Sequence, residues 1–258
     1  MFIMQQNKKK SKKIITKLAV LLIWLGVWQG AFMAVGQEIL LVSPLIVLER
    51  LFVLIKTSEF WLNIALSFLR IFSGYALGVF FGCLLAVLTS SVKFIDELFR
   101  PILVIIKSTP VASFIILALV WIQKTYIPVF IVFLIVLPII WSNVSEGIAS
   151  TDKSYLEMAK VFHFGKLKTL KLIYYGSVMP FFAAGATTAL GLAWKSGVAA
   201  EVLALPVSSI GYNLYRAKIN IETADLFAWT AVVVVLSAVL ERFISYSLKK
   251  LRERKKND

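Results

Sequence analysis

The sequence predicts an all-α protein that crosses a membrane about six times. Its 258 residues are 59% hydrophobic, with a mean hydropathy of +0.84, whereas ordinary soluble domains are about 45–50% apolar. The apolar residues form long runs, and about 20 apolar residues in a helix are enough to cross a bilayer. Basic residues gather between alternate runs. Together these observations indicate a polytopic membrane protein rather than a soluble domain.

Six runs have the length and composition of membrane spans. For the second run, a start near Trp61 is an alternative to the start at residue 68. The segment 37–60 is apolar but interrupted by charges, so we expect an amphipathic helix on the membrane surface. Pro110, Pro128 and Pro138 are expected to bend or start helices. The predicted spans lie at residues 18–36, 68–89, 102–122, 127–145, 179–200 and 224–247.

Lysine and arginine predict the orientation, because cytoplasmic segments carry an excess of both. With the N-terminus inside, twenty of the 28 basic residues fall in inside segments and five in outside segments. Both termini are therefore expected in the cytoplasm, as basic tails at 1–17 and 248–258 that flank a membrane domain at 18–247. Most of the net charge of +14 then reflects topology and contact with membrane lipid, so nucleic acid is not expected as a partner.

Gly74, Gly78 and Gly82 recur every four residues in the second span. This spacing leaves one helix face without side chains, so another backbone can approach it closely. Packing within the chain and contact with another subunit are both open as explanations.

Charged side chains inside the predicted spans are candidates for a solute pathway. Lys195 lies deep in the fifth span, and a lysine there costs about 2.5–3.5 kcal/mol unless it faces protein or water. Trp194, Lys195 and Glu201 are therefore candidate pathway residues for an anionic solute, and a structural pair of Lys195 with Glu201 is the alternative. Arg70 and Lys107 lie near span ends and are expected to extend toward the membrane surface.

The longest polar segment between spans covers residues 146–178. Ser154, followed three residues later by Glu157, predicts a capping box. A helix over 155–163 should follow, with Gly165 as its stop.

This short helix is amphipathic. Tyr155, Met158, Ala159 and Phe162 fall on one side of it, and that side is too small to form a core alone. It suits the membrane surface or a groove on a cytoplasmic partner. A second, basic helix over 166–173 should lead into the fifth span.

The 146–178 segment resembles the cytoplasmic EAA loop of permease subunits of ATP-binding cassette (ABC) importers. The family pattern is Glu-Ala-Ala, three residues, Gly, nine residues and Ile-x-Leu-Pro. Here EMA at 157–159 and Ile173 match the pattern, whereas His163 takes the place of Gly and YG at 175–176 takes the place of Leu-Pro.

Three further stretches carry the resemblance over nearly the whole chain after residue 60. They are SFLRIFSGYALGVFFG at 67–82, PFFAAGATTALGLAWKSGVAAE at 180–201 and SSIGYNLYRAKINIETADLFAW at 208–229. The chain is identified by these motifs as a member of the branch associated with nitrate, sulfonate and taurine uptake.

The resemblance implies a type I importer permease in the cell membrane, and it implies partners. Relatives form homodimers with the pathway between the two copies, and a coupling helix in the EAA loop docks on the ATPase subunit. An extracytoplasmic solute-binding protein should meet the loop at 202–223. The residues expected at the ATPase contact are Tyr155, Glu157, Met158, Ala159, Phe162, His163 and Gly165.

No catalysis is expected from the chain itself. It has no G-x-x-x-x-G-K-[ST] loop to hold ATP phosphates, and its one histidine and one cysteine predict no metal site and no cofactor. A secondary transporter driven by an ion gradient is the alternative function. The solute stays open between anions such as sulfonates or nitrate and neutral or cationic heterocycles such as thiamine precursors.

Overall fold

A computed structural model describes the backbone of residues 2–254 and the side chains of residues 16–165 and 167–242. Most side chains of the two predicted basic tails lie outside this description. The regular elements in the described backbone are helices, and a π-helical turn at Leu170–Tyr174 joins α8 to α9. The helices are α1 Phe2–Val35, α2 Pro44–Ile55, α3 Ser58–Ser91, α4 Lys93–Ser108, α5 Val111–Trp121, α6 Ile127–Ala149, α7 Lys153–Val161, α8 Lys166–Thr169, α9 Tyr175–Ala204, α10 Ile210–Ile219 and α11 Thr223–Arg254.

The prediction of about six spans is confirmed within the described residues. Four of the five single spans are Thr16–Val35, Ser58–Ser91, Ile127–Ala149 and Thr223–Arg242, and the fifth runs from Leu167 to Ala204. The sixth is broken, because α4 and α5 together have the length and composition of a span but meet at an angle of 106°.

The break in the third predicted span lies where proline was expected to act. Pro110 is the N-cap of α5, and Thr109 ends α4 with its N–H bound to the carbonyl of Ile105 at 3.0 Å. Proline has no N–H to continue the α4 ladder, so the chain turns there. Pro128 likewise stands in the first turn of α6, whereas Pro138 lies inside that helix.

The chain divides into two compact units, the first of which contains residues up to 60 together with 213–231. The surface helix predicted over 37–60 is shorter than expected, since α2 covers Pro44–Ile55. Ser43 caps it by accepting a hydrogen bond from the Ile46 N–H at 3.3 Å. Arg50 on α2 pairs with Asp225, with 2.9 Å between Nη2 and Oδ2, and this hydrogen bond raises the pKa of the guanidinium.

The second unit contains residues 61–212 and the chain from 232 onward. In it α3 packs against α6 through the three glycines. A Cβ atom at Gly78 would lie 2.6 Å from Cβ of Val136, and one at Gly82 would lie 2.9 Å from Cβ of Ile140. The close approach predicted from the glycine spacing is confirmed, and it serves packing within the chain.

α5, α6 and α9 share an apolar core in the second unit. Ile115 on α5, Ile127 and Ile131 on α6 and Ala200 on α9 are almost completely buried there. The outward faces of the spans carry large apolar side chains, such as Phe80 at 63% exposure. Such a surface is stable only against apolar surroundings.

Candidate functional site

The side chain of Lys195 lines a cavity of about 570 Å³, which we call the lysine cavity. Four polar side chains line it, namely Lys107 and Thr109 at the end of α4 and Lys195 and Ser196 on α9. The rest of the lining is predominantly apolar, and it includes Val111 at the start of α5. Two ammonium groups and two hydroxyls in an otherwise apolar space are suited to hold a small anion.

The expectation that Lys107 extends toward the membrane surface stays a prediction. Its side chain lines the lysine cavity, and its Nζ lies 5.7 Å from the ring centre of Trp141. An ammonium group at that distance from an indole face is attracted by the ring. The bend at Pro110 places Lys107 at an internal helix end and not at the end of a straight span.

Trp194 and Glu201 do not line the lysine cavity. Trp194 is 1% exposed, and its Nε1 donates a hydrogen bond to the carbonyl of Val233 at 3.0 Å. Glu201 is fully buried and is paired with Arg70, at 3.6 Å from Nη1 to Oε1. The alternative in which Lys195 pairs with Glu201 of its own chain is therefore not the arrangement in this structure.

Arg70 is enclosed by its own chain, whereas it was expected to extend toward the membrane surface. Its side chain is only 12% exposed, and its guanidinium donates to the carbonyls of Ser208 at 3.0 Å and Val207 at 3.1 Å. Sequence reasoning missed this role because the partners are distant in the chain.

The Glu201 carboxylate completes a buried network. Its Oε2 accepts hydrogen bonds from Ser67 Oγ at 2.8 Å and from the Gly211 N–H at 3.2 Å. Ser67 Oγ accepts in turn from the Ile210 N–H at 2.9 Å. The network ties α3, α9 and the start of α10 together, so it fixes the loop between α9 and α10.

A second cavity, of about 350 Å³, lies among the ends of α3, α4 and α6. We call it the acidic cavity, because Asp96 and Glu146 line it together with Arg100. Arg100 donates to Asp96 at 2.6 Å. Trp141 also lines this cavity, and sequence reasoning singled out neither the cavity nor the tryptophan.

The short helix of the 146–178 segment is present as α7, but its N-cap is Asp152 and not Ser154. The Asp152 carboxylate accepts a hydrogen bond from the Ser154 N–H at 2.9 Å. α7 therefore begins at Lys153, before the predicted start, and the predicted capping box of Ser154 with Glu157 is wrong. Aspartate is as good an N-cap as serine, and its charge also suits the positive end of the helix dipole.

The C-terminal end of α7 is a Schellman motif centred on His163. The Phe164 N–H bonds to the carbonyl of Ala159 at 2.8 Å, and the His163 N–H bonds to that of Lys160 at 3.1 Å. His163 has φ = 52°, in the left-handed region that glycine adopts most easily. The helix thus ends before Gly165, so the predicted stop at Gly165 is wrong.

The side chains of α7 differ widely in exposure. Tyr155, Met158 and Phe162 are exposed by 55%, 41% and 68%, whereas Ala159 is only 4% exposed. Ala159 therefore seats the helix on its own chain, and the three larger apolar side chains remain uncovered. Glu157, His163 and Gly165 are exposed as well.

No group of three or more potential metal-ligating side chains occurs among the residues that the structure describes.

The comparisons with known proteins agree on one family. Residues 78–256 match the binding-protein-dependent transport system inner membrane component family. The chain is 25% identical to the nitrate import permease protein NrtB of Synechocystis, over 92% of this chain and 88% of that protein. It is 22% identical to the bicarbonate transport system permease protein CmpB of Synechococcus elongatus, over 72% of this chain and 67% of that protein.

A solved structure has a similar fold. The MetNI methionine ABC transporter in inward-facing conformations includes a chain that matches with a TM-score of 0.54 and 16% identity, over 74% of this chain and 91% of that one. The family sets the secondary transporter aside, and it implies that a separate subunit hydrolyses ATP and that a substrate-binding protein delivers the solute. The chain therefore belongs to the binding-protein-dependent inner membrane components, as an ABC importer permease of the nitrate/sulfonate/taurine branch.

Proposed function

We propose that this permease carries a small anion through the lysine cavity and that α7 is the coupling helix that receives movement from the ATPase. The observation that carries the proposal is the pair of ammonium groups, Lys107 and Lys195, in one cavity at membrane depth. Two fixed positive charges attract an anion and repel a cation. This favours anions over the cationic heterocycles that the sequence left open.

The start of α5 supports an anionic solute. Val111, the first residue of α5, lines the lysine cavity, and Pro110 provides no side-chain cap for that helix. The N-terminal end of a helix carries partial positive charge and free N–H groups. The names of two relatives, a nitrate and a bicarbonate permease, fit the same class of solute.

The proposal includes two copies of the chain, with both termini and α7 on the cytoplasmic side. Tyr155, Met158 and Phe162 then form the ATPase contact, Glu157, His163 and Gly165 lie at its edge, and Ala159 holds the helix in place. The distribution of basic residues supports this orientation. The exposed apolar side of α7 supports the contact.

Replacing the lysines tests the pathway. We expect Lys195→Met and Lys107→Met each to reduce ATP-dependent anion uptake at least about tenfold, because loss of one charge-assisted contact with the anion amounts to roughly 1.4 kcal/mol or more. Uptake of labelled nitrate, bicarbonate and taurine is measured in proteoliposomes that contain the full complex and its binding protein.

Lys124→Met is the matched control, since Lys124 is exposed in the loop before α6 and its loss changes net charge by the same amount. Normal uptake and normal anion preference in both cavity variants would refute the pathway.

A further inference from the structure

The two cavities follow each other along α4 and α6. α4 lines the lysine cavity through Lys107 and the acidic cavity through Asp96 and Arg100. α6 lines the first through Pro138 and the second through Ser145. Because the C-terminal end of α6 leads into α7, the acidic cavity lies on the α7 side and the lysine cavity lies deeper in the membrane.

Trp141 stands between the two cavities. It follows Pro138 on α6 and precedes Ser145, its side chain lines the acidic cavity, and its ring holds the ammonium group of Lys107 from the lysine cavity. Its Nε1 donates a hydrogen bond to Thr89 Oγ1 at 2.9 Å. Thr89 is 7% exposed, so a buried group on α3 fixes the indole in this position.

The two cavities carry opposite net charge, which favours movement of an anion from the lysine cavity toward the α7 side. Lys107 and Lys195 are the charged residues among the described residues that line the lysine cavity. In the acidic cavity, Asp96 and Glu146 outweigh Arg100, which Asp96 already neutralises. An anion is therefore held in the first cavity and released from the second, and conduction needs sites weak enough to leave.

We propose that Trp141 is the barrier between the lysine cavity and the α7 side of the membrane. While the indole is bound to Thr89 and covered by Lys107, it blocks the passage. Release of an anion requires the ring to leave this position, which also frees the ammonium of Lys107. The inference rests on the proposed function for the nature of the solute, and the position of Trp141 between the two cavities supports the barrier.

Thiol accessibility tests the barrier without any assumption about the solute. The chain has a single cysteine, Cys83, so Cys83→Ala gives a background for single cysteines at Ala149, which is exposed in the acidic cavity, and at Ser196 in the lysine cavity. The complex with its ATPase is kept in membrane vesicles of known orientation. A membrane-impermeant anionic methanethiosulfonate reagent is added from the α7 side, and modification rates are measured.

We expect Ala149→Cys to react fast and Ser196→Cys to react about tenfold more slowly, a difference equivalent to about 1.4 kcal/mol. Adding Trp141→Ala should remove most of this difference. Trp141→Phe should keep it, because the ring and its contact with Lys107 remain. Trp121→Ala is the control, since Trp121 is 79% exposed at the far end of α5.

Two results would overturn the barrier: a fast reaction at Ser196→Cys with Trp141 present, or an unchanged slow one after Trp141→Ala. The rate at Ala149→Cys reports on folding, because this exposed site lies on the α7 side of Trp141. If Trp141→Ala alters the rate at the cysteine in the acidic cavity, the experiment is repeated with Trp141→Leu, and the same two results would overturn the barrier. Anion uptake by the lysine variants tests the proposed function alone. Failure of the anion pathway therefore does not imply failure of the Trp141 barrier, and the reverse also holds.

Discussion

At the scale of single residues, Glu201 connects parts of the second unit that are far apart in the sequence. Its carboxylate binds Ser67 of α3 and the N–H of Gly211 at the start of α10, and it faces the guanidinium of Arg70. Arg70 holds the carbonyls of the following loop at Val207 and Ser208. The loop proposed to meet the binding protein is thereby attached to the spans by a buried charge pair.

Arg70→Met should destabilise the protein by about 3–5 kcal/mol, because it leaves the buried Glu201 carboxylate without its counter-charge. The double variant with Glu201→Gln should recover part of this loss. Thermal unfolding of the purified complex measures both, in a double-mutant cycle. Arg216→Met is the control, since Arg216 is exposed on α10, and equal melting temperatures for Arg70→Met and Arg216→Met would contradict the role of the pair.

The residue-level failures of prediction have simple geometric causes. Arg70 was expected at a span end because the apolar run was read from residue 68, yet α3 begins at Ser58 and so Arg70 lies inside it. Lys195 and Glu201 are six residues apart, which places them roughly 120° apart around a helix. That spacing alone argues against a pair within one chain, whereas the contact of Glu201 with Arg70 could not be read from local sequence.

At the scale of elements, α7 shows what a local pattern can and cannot determine. The amphipathic side was predictable from spacing, because Tyr155, Met158 and Phe162 recur at helical intervals. The helix ends were not, since Asp152 and Ser154 are both good caps and the choice depends on tertiary packing. His163 at the family's glycine position could have suggested the left-handed residue that now ends the helix.

Tyr155→Asp should release the ATPase from the permease, because it places a charge in the proposed apolar contact. Lys160→Asp is the matched control, since it puts the same carboxylate on α7 roughly 140° away around the helix. Co-purification of the cassette ATPase with tagged permease measures the effect. Retention of the ATPase by Tyr155→Asp, or equal loss in both variants, would contradict the assignment of this side as the contact.

At the scale of the whole molecule, the number and order of the spans were predictable from apolar runs, and the break at Pro110 from proline chemistry. The angle of that break was not predictable, because the packing of α4 and α5 against α6 and α9 decides it. The meeting of Lys107 and Lys195 depends on the same packing. The sequence therefore indicated a pathway lysine but could not indicate the second one.

We propose two copies of the chain in each working complex, because six spans are few for an enclosed aqueous route and the family resemblance of the sequence implies a homodimer. Co-expression of two differently tagged copies should allow one tag to capture the other, with two ATPase copies per pair by mass measurement of the intact complex. A permease that captures no second copy and still drives full ATP-dependent uptake would contradict this.

If the two lysines of the cavity select an anion, its import into a cell with an electrically negative interior requires work against the membrane voltage. Fixed charges along a route lower the barrier for an anion but leave the electrical potential at either end unchanged. Each univalent anion imported works against the voltage, by about 2.3 kcal/mol per 100 mV, and this work must come from nucleotide hydrolysis. Depolarising such a cell at constant ATP would therefore favour accumulation of the anion. An uptake process that is driven by the voltage would instead be abolished by the same depolarisation.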